Sequence, residues 1–597
     1  MKPSFVVASI VALAAAGAVQ ATTVTRGPYL QMPTPASIIV RWRTDAPTDS
    51  RVRYGAAPGS LGSTADDPAP TTEHIVTVPA LSADTRYYYA VGSVGGAFVG
   101  DDVNHFFRTP PTPGTRRATR IWVTGDGGFA NASGQAVRDA YATYSAGQDT
   151  DLWLLLGDNA YVFGTDANYQ AALFDMHHDL LRHVPVWPTF GNHEAFSSNS
   201  LTATGPYFDM FSLPTAAQAG GVASGTEAYY SFDHANMHFI VLDSQSASNA
   251  PGSPMMLWLE ADLQATTADW VIAFWHHPPY SKGALHDSDV EANEINMRAN
   301  VLPLLEGYGV DLVLCGHSHS YERSHLLDGH YGFSNTLAAS MVLDSGDGDP
   351  AGDGAYRKAS IAPTPHEGAV YVVAGSSSEV RTATLNHPVM EVGLLELGSL
   401  VLDVDGDTLR GTFLNSLVQT TDTFTLVKGP ACPSSPRSGC GAASSGRLVV
   451  RSAPVPKLVW RWKGGTVDAM QVGAPEAQTD VAVCLYDQSG RLLGGAVSHG
   501  ADPTPGTSWR RARDGSLTYA SAAGTDAGIK EIRIKTGTGV RTLIRTIGGG
   551  ASLALPSLPL APPITAQLVN VDHGACWESV FTTTKRNEST RVLAAIP

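Results

Sequence analysis

Five short polar blocks in the middle of this chain each follow directly after an apolar run. The blocks begin at Gly125, Gly157, Gly191, His276 and Gly316. The apolar runs predict buried parallel strands and include 121–123, 152–156, 271–274 and 310–314. In open α/β sheets, ligands bind beyond the carboxyl ends of the strands. Blocks far apart in sequence are therefore expected to meet at one rim of the fold.

The residue types in these blocks are those of a two-metal centre. They supply carboxylates, imidazoles, an amide and a phenol, which are the oxygen and nitrogen donors that hard and borderline cations bind. Two cations roughly 3.5–4 Å apart can hold a nucleophilic hydroxide and stabilise both the attacking and leaving oxygens of a phosphate ester. The pattern therefore indicates hydrolysis of phosphate esters.

In order and residue type, the five blocks resemble the metallophosphoesterase superfamily, and Tyr161 narrows the resemblance to the purple acid phosphatases. Gly128 stands where many superfamily members carry a ligand histidine, and the resemblance implies that Tyr161 replaces it. It implies Fe(III) in the first site and divalent Fe, Zn or Mn in the second. The first-site ligands are then Asp126, Asp158, Tyr161 and His319, and the second-site ligands are Asp158, Asn192, His276 and His317, with Asp158 bridging.

Two further histidines are candidates for catalysis and substrate binding. The resemblance implies that His193 contacts the substrate phosphate without binding metal, while a metal-activated hydroxide attacks in line. His286 is a second candidate for donating a proton to the leaving group; the alternative is that it is a surface-loop histidine. His277 is expected not to be a ligand. The nearby His177, His178 and His183 are expected to be solvent-facing or packing residues.

The length of 597 residues is too great for one core and predicts several domains. Residues 1–21 have the basic start, apolar stretch and small-residue end of a secretory signal, so export to the periplasm or beyond is expected. Residues 22–112 alternate like an antiparallel β-sandwich and resemble the fibronectin-III-like domain of purple acid phosphatases. Residues 113–428 predict a central α/β sandwich of mixed sheets flanked by helices. A linker at 429–446 and a β-rich accessory domain at 447–597 complete the order.

Charge limits the partners of the chain. The formal net charge is −16, and we interpret the sequence as lacking the cationic stripe that nucleic-acid binding requires. No later stretch is long and apolar enough for stable membrane insertion. Small phosphorylated molecules are the expected partners. The oligomeric state is left open, because no cysteine is obviously placed for a subunit bridge.

Five cysteines remain for structural roles in an exported protein. Cys432 and Cys440 close a small loop and are natural partners, which leaves Cys484 and Cys576 as a second pair, although the other pairings stay open. Cys315 ends a predicted core strand and is expected to be a buried thiol.

Three functions are consistent with these sequence features. The first is a secreted acid phosphatase that hydrolyses phosphate monoesters. The second is a phosphodiesterase or nucleotide pyrophosphatase on the same metals. The third is a surface or glycan-binding protein with a vestigial metal domain, in which tryptophans form a sugar-binding face. The alternative for these tryptophans is packing in a β core; they are Trp460, Trp462, Trp509 and Trp577.

Overall fold

A computed structural model describes residues 22–352, 354–429, 432, 435–476, 479–497, 507–522, 524, 528–550, 552–553, 555–571 and 575–596. The predicted signal peptide at 1–21 lies outside these ranges. Within them, none of the helices is long and apolar enough to cross a membrane.

The N-terminal region is all β, as predicted. Its strands are β1 (Val24–Thr34), β2 (Ser37–Gly55), β3 (Ser63–Val78), β4 (Arg86–Ser93), β5 (Gly96–Gly100) and β6 (Phe106–Arg108). The long strand β2 pairs antiparallel with β1, β3 and β4, so the sheet folds over on itself. The apolar residues of alternate positions, among them Trp42 and Tyr89, fill the core between its two halves.

The central region contains two mixed seven-stranded sheets, which confirms the predicted α/β sandwich. Its strands are β7 (Thr119–Thr124), β8 (Leu152–Leu155), β9 (Val186–Pro188), β10 (Tyr230–His234), β11 (Met237–Val241), β12 (Trp270–Trp275), β13 (Leu312–Cys315), β14 (Tyr321–Ser324), β15 (Leu326–Leu327), β16 (Val342–Asp344), β17 (Tyr356–Lys358), β18 (Val370–Ala374), β19 (Met390–Leu394), β20 (Gly398–Asp405), β21 (Thr408–Asn415) and β22 (Thr420–Lys428). One sheet has the order β17-β22-β21-β20-β7-β8-β9, and the other β10-β11-β12-β13-β18-β14-β19. The predicted runs form β7, β8, β12 and β13, whose mutual pairings are parallel within each sheet.

Helices cover these sheets. They are α1 (Ala132–Tyr144), α2 (Asp166–Tyr169), α3 (His178–Leu181), α4 (Pro206–Met210), α5 (Pro254–Ala265), α6 (Ala292–Asn296) and α7 (Leu302–Gly307). The side chain of Asn131 caps α1 by accepting the Gly134 amide at 2.8 Å, which satisfies one of the unpaired donors of the first turn. A π-helical turn at Met297–Val301 joins α6 to α7, so the three segments form one continuous helix with a locally widened turn.

Three histidines near α3 have packing roles or face solvent, as predicted. His177 is buried against Trp153, with 4.8 Å between ring centroids, and His178 is exposed. His183 stacks on Phe106 of the N-terminal sheet at 5.0 Å. The same interface includes a charged contact, in which Asp166 accepts hydrogen bonds from both Arg26 and Arg43 at 2.6–2.9 Å.

The C-terminal region is almost entirely β. Its elements are β23 (Gly441–Ala442), β24 (Ser445–Arg451), β25 (Lys457–Lys463), β26 (Thr466–Val467), α8 (Ala469–Val472), β27 (Val481–Asp487), β28 (Gly490–Val497), β29 (Thr507–Arg511), β30 (Leu517–Ser521), β31 (Ile529–Lys535), β32 (Gly537–Thr538), β33 (Leu543–Gly549), β34 (Ile564–Asn570), β35 (Cys576–Phe581), β36 (Thr584–Glu588) and β37 (Arg591–Ile596). A five-stranded and an eight-stranded sheet pack around one core. The four tryptophans of this region are buried in that core, so they form no exposed sugar-binding face.

The cysteine pairing differs from the pairing that we favoured. The disulfides are Cys432–Cys484 and Cys440–Cys576, with sequence separations of 52 and 136 residues. The partner cysteines lie on β27 and β35, beside the segment that precedes β23. Proximity in sequence was the wrong guide because the two bonds fasten part of the predicted 429–446 linker onto the C-terminal sheet. Cys315 is a buried free thiol, as expected.

The expectation that the chain lacks a cationic stripe is also wrong, because the folded protein has a cluster of basic side chains on one surface. Arginines from several strands converge on the outer face of the eight-stranded sheet, opposite the core. The prediction failed because strand register, and not adjacency in sequence, brings them together.

Candidate metal centre

The five polar blocks meet at one rim, although their strands belong to two sheets. The loops after β7, β8 and β9 come from one sheet, and those after β12 and β13 come from the other. The two sets touch directly, because Asp126 Oδ2 accepts the backbone amide of His317 at 2.6 Å.

Unusual backbone conformations aim the ligand candidates into this rim. Asp126, Asp158 and His317 have φ angles of 55°, 52° and 69°, in the left-handed region that non-glycine residues adopt rarely. The glycine before Asp158 is required by space, since a Cβ on Gly157 would lie 2.5 Å from His276 Nδ1. Such strained positions cluster where a site must be held in a fixed geometry.

The first group of donors consists of Asp126, Tyr161 and His319. The Tyr161 hydroxyl lies 2.9 Å from Asp126 Oδ1 and 3.0 Å from His319 Nε2. His319 Nε2 and Asp126 Oδ1 are 3.5 Å apart. Phe129 stacks on the tyrosine ring at 4.1 Å and fixes its orientation. All three donor atoms therefore face one point.

The second group consists of Asn192, His276 and His317. Asn192 Oδ1 is 2.9 Å from His276 Nε2 and 3.1 Å from His317 Nδ1. The two imidazole nitrogens face each other at 3.2 Å. Two lone pairs and an amide oxygen directed at one another are the arrangement that a cation would complete.

Asp158 lies between the two groups. Its Oδ1 atom is 3.4 Å from His276 Nε2. One ligand atom each from Asp126, Asp158 and His276 falls within a 4.8 Å cluster, which joins the first group to the second. This is the position that a bridging carboxylate must occupy.

Each candidate ligand histidine has an oxygen atom close to its other ring nitrogen, although the geometry at His319 does not form a hydrogen bond. His276 Nδ1 lies 2.9 Å from the Leu156 carbonyl, His317 Nε2 lies 3.0 Å from Glu291, and His319 Nδ1 lies 2.8 Å from Glu379. Metal-binding histidines commonly donate this second N–H to a carbonyl or carboxylate, which fixes the tautomer and directs the free lone pair at the metal. The residues present therefore fit two metal ions.

The electrostatics of the rim favour bound cations. Burial and the neighbouring His276 hold the pKa of His317 well below its usual value, so its imidazole is neutral and able to ligate. Burial, together with the charges of Asp126 and Asp158, raises the pKa of Tyr161 well above 10. A phenolate there requires a strongly Lewis-acidic cation beside its oxygen.

Gly128 occupies its position for a steric reason as well. A Cβ at this residue would lie 2.4 Å from the Ala160 amide nitrogen and 2.6 Å from the Asp158 carbonyl oxygen. A histidine here would push away the loop that carries Asp158 and Tyr161. The local backbone therefore suits a centre that uses the tyrosine.

His193 reaches the rim without joining either donor group. Its Nδ1 lies 2.6 Å from the Val162 carbonyl, and its Nε2 lies 3.7 Å from Asp158 Oδ2. The ring stands edge-on to Tyr161 at 4.4 Å. With Nδ1 occupied and about a quarter of the side chain exposed, Nε2 is available to a substrate at the mouth.

His286 is brought to the centre and is not a remote loop residue. Its ring packs on His317 with 3.8 Å between centroids, and its Nδ1 lies 2.8 Å from Glu291. Glu291 thus contacts both histidines. His277 also packs against His317, at 4.4 Å, but its Nδ1 lies 2.8 Å from the Ser244 hydroxyl and it is fully buried.

Three carboxylates near the centre were missed by the sequence reasoning. Glu194 is buried and accepts the backbone amides of Asp158, Asn159 and Gly191 at 2.7–2.9 Å, so it holds two ligand loops together. Burial and the charge of Asp158 raise its pKa to about 7. Its position directly after Asn192-His193 was the available signal. Glu291 and Glu379 lie on loops outside the five blocks and left no such signal.

Comparison with known proteins agrees with this architecture. Residues 119–321 match the family model described as calcineurin-like phosphoesterase. Residues 26–109 match the purple acid phosphatase N-terminal domain. The chain therefore carries a region similar to calcineurin-like phosphoesterases behind a region similar to the N-terminal domain of purple acid phosphatases.

Individual purple acid phosphatases are similar to this chain over part of their length. Probable purple acid phosphatase 20 of Arabidopsis thaliana is 27% identical over 317 residues, which cover 49% of this chain and 68% of the relative. Purple acid phosphatase 1 of Ipomoea batatas is 31% identical over 260 residues, or 42% of this chain and 51% of the relative. The chain thus spans about half to two thirds of the curated relatives that it matches.

A solved structure supports the fold. The purple acid phosphatase PPD1 from yellow lupin (Lupinus luteus) seeds aligns with a TM-score of 0.52 at 18% identity, covering 68% of this chain and 75% of that one.

Proposed function

We propose that this chain is an exported, dinuclear-metal acid phosphatase that hydrolyses phosphate monoesters. The observation that carries the proposal is the convergence of two donor groups on either side of Asp158. In this proposal Asp126, Tyr161 and His319 hold Fe(III), and Asn192, His276 and His317 hold divalent Fe, Zn or Mn. The bound ions supply the positive charge that holds phosphate oxygens and activates water.

The protein's own residues have distinct tasks in this scheme. His193, held through Nδ1 by the Val162 carbonyl, presents Nε2 to the substrate phosphate. His286, beside His317, is the second candidate to donate a proton to the leaving oxygen. Glu194 keeps the Asp158 and Asn192 loops in register, and water is excluded from its buried carboxylate.

Two exposed aromatic rings favour substrates with an aromatic leaving group. Phe163 and Phe196 are 57% and 63% exposed and stand edge-to-face at 5.7 Å. Phe196 also contacts His193 at 5.6 Å, so the pair lies beside the mouth of the centre. Replacing both by Ala is expected to raise KM for an aryl phosphate about fivefold, the equivalent of ~1 kcal/mol of aromatic contact. An aliphatic ester should be unaffected.

Export is supported by two features. Residues 1–21 have the sequence of a secretory signal, and two disulfides stabilise the C-terminal region. Structural disulfides persist in oxidising compartments.

The decisive experiment is metal analysis and visible spectroscopy of the purified protein, run beside assays on phosphate monoesters and diesters. We expect two ions for each chain, a broad visible band, and faster turnover of monoesters. Tyr161→Phe should remove the band, whereas the matched control Tyr141→Phe, at a buried tyrosine of α1, should keep it. A colourless active enzyme without iron would refute the ferric assignment alone. Preference for diesters would refute the monoesterase proposal and favour the phosphodiesterase alternative.

A further inference from the structure

The outer face of the eight-stranded C-terminal sheet carries a basic groove that the metal centre does not use. The groove has a volume of about 580 Å³. Its cationic lining residues are Arg447, Arg451, Lys457, Arg461, Arg533, Arg545 and Arg591. This concentration of positive charge stands in a chain whose formal net charge is −16.

Strand register builds the first wall of the groove. Arg447 of β24 pairs with Arg461 of β25, Arg461 pairs with Arg545 of β33, and Arg545 pairs with Arg533 of β31. Four arginines on four adjacent strands therefore form one row across the sheet. At about 4.8 Å between strands, the row is about 14 Å long.

A second wall runs parallel to the first, four residues further along the strands. Arg451 pairs with both Lys457 and Arg591. Between the walls lie apolar residues, with Val449 paired to Val459 and Val459 paired to Ile547. Four residues of strand separate the walls by about 13 Å, and the long cationic side chains stand above this apolar floor.

The cations of the groove have few partners within the protein. Arg545 pairs with Glu531 at 3.1 Å, and none of the other six forms an ion pair with any residue that the structure describes. Like charges directly opposite one another destabilise a sheet. An external anion would remove that repulsion, which distinguishes this face from a solvated surface with mixed charges.

The shape and composition of the groove restrict the anion. A space about 13 Å wide is too narrow for a nucleic-acid duplex, which is broader than its major groove of about 12 Å by the two backbones that flank the groove. The lining contains no aromatic ring on which single-stranded bases could stack. A flat membrane would meet the raised arginine heads and not the recessed floor. What fits is a narrow linear chain with a charge on every short repeat.

We propose that this groove binds linear polyphosphate. Arginine predominates over lysine, and the planar guanidinium matches phosphate oxygens with two parallel hydrogen bonds. The arginine row matches the dense charge of a phosphate chain lying across the strands. The groove would hold the enzyme on a phosphorus-rich polymer independently of whether the metal centre hydrolyses it.

The test is a binding titration of the full-length protein with fluorescent linear polyphosphate at several salt concentrations. The variant Arg447→Gln/Arg461→Gln/Arg533→Gln removes three exposed charges of the first wall. The control Arg116→Gln/Arg138→Gln/Arg410→Gln makes the same change in net charge on the catalytic domain. Polyphosphate that binds at the metal centre would be bound equally by both variants, so the two sites are separated.

We expect the wall variant to bind at least tenfold more weakly than the control. Its salt dependence should fall by about 2 in the slope of log K against log salt, since each lost phosphate contact contributes roughly 0.7 in a single-stranded polyanion. Turnover of a small phosphate ester should not change in either variant. If the triple variant does not fold, Arg461→Gln alone should show a smaller loss of the same kind.

Two results would overturn the proposal. One is equal affinity of the wall and control variants for polyphosphate. The other is tighter binding, at equal phosphate concentration, to a single-stranded oligonucleotide or to vesicles of phosphatidylcholine and phosphatidylglycerol. The second result would assign the groove to nucleic acid or to an anionic membrane.

Discussion

The metal rim and the basic groove each bring together side chains of one chemical type, but the charged groups are buried and partnered at the rim and exposed in the groove. At the rim, Asp126 and Asp158 are buried and each has hydrogen-bond donors around it. In the groove, Arg447 and Arg461 are exposed and form no ion pair with any residue in the described part of the chain. The rim has buried, fixed donor atoms that suit small enclosed cations. In the groove, Arg545 alone has an ion-pair partner within the described chain, so the other charges can be balanced only by an external anion.

The strongest test of this contrast is the shared ligand of the rim. Asp158→Ala is expected to release both metals and to lower turnover by at least about 10³, or ~4 kcal/mol in activation free energy. The reason is that Asp158 contacts both donor groups. Metal content and kcat on an aryl phosphate measure this.

Asn192→Ala is the matched comparison, because Asn192 belongs to one group only. It should weaken chiefly the divalent site and leave the visible band in place. If Asp158→Ala retains both ions, the bridging role is wrong.

His193 separates chemistry from metal binding at the rim. His193→Ala should lower turnover by roughly 10²–10⁴, the usual range for general acid–base assistance. Both metals and the visible band should remain, because the imidazole lies outside both donor groups. His286→Ala should have a smaller effect. If His286 is the proton donor, its loss should slow the hydrolysis of alkyl esters far more than that of aryl esters. An equal effect on both ester types would indicate that His286 has a binding or structural role.

Reduction of the disulfides should lower the stability of the C-terminal region and leave that of the catalytic domain unchanged. The C-terminal region carries both disulfides, whereas the catalytic domain has only the buried thiol Cys315. Reduction should destabilise the C-terminal region by about 2–5 kcal/mol, chiefly through the long loops that the bonds close. Calorimetry with and without reductant should show one transition moving down while turnover of a small ester persists. Loss of activity together with that transition would show that the two regions are coupled.

The smallest expected effect concerns the groove itself. Because the arginine row places like charges side by side, the wall variant should be slightly more stable than the wild type, by about 0.2–1 kcal/mol for each relieved contact. Thermal unfolding at low salt would reveal the gain, and high salt should abolish it. A destabilised wall variant would indicate that the arginine stems support the sheet by packing.

The rim could be predicted from sequence because its residues follow strands in short, recognisable blocks. Asp126, Asp158 and Asn192 each come after a glycine that permits a close approach, and the apolar run before each block sets its position. Parallel strands then bring these positions to one edge, so little depends on details of packing.

The groove and the outer carboxylates could not be predicted in this way. Arg447 and Arg545 are almost a hundred positions apart in the chain, and only the register of β24, β25 and β33 makes them neighbours in one row. Glu291 and Glu379 reach the centre from loops with no pattern of their own. The disulfide pairing was predicted wrongly for the same reason: Cys440 pairs with a cysteine 136 residues away, which only the fold brings close to it.

One contact between domains has a consequence for the interpretation of natural variation. Asp166, which is held by Arg26 and Arg43 of the N-terminal sheet, begins α2 only five positions after Tyr161. The N-terminal sheet therefore helps to hold the segment between Tyr161 and Asp166 in place. Under the proposed assignment, a substitution of Arg43 is expected to weaken metal retention at the Tyr161 site although Arg43 is not one of the proposed ligands. Surveys of variants that inspect the catalytic domain alone would classify such a change as neutral.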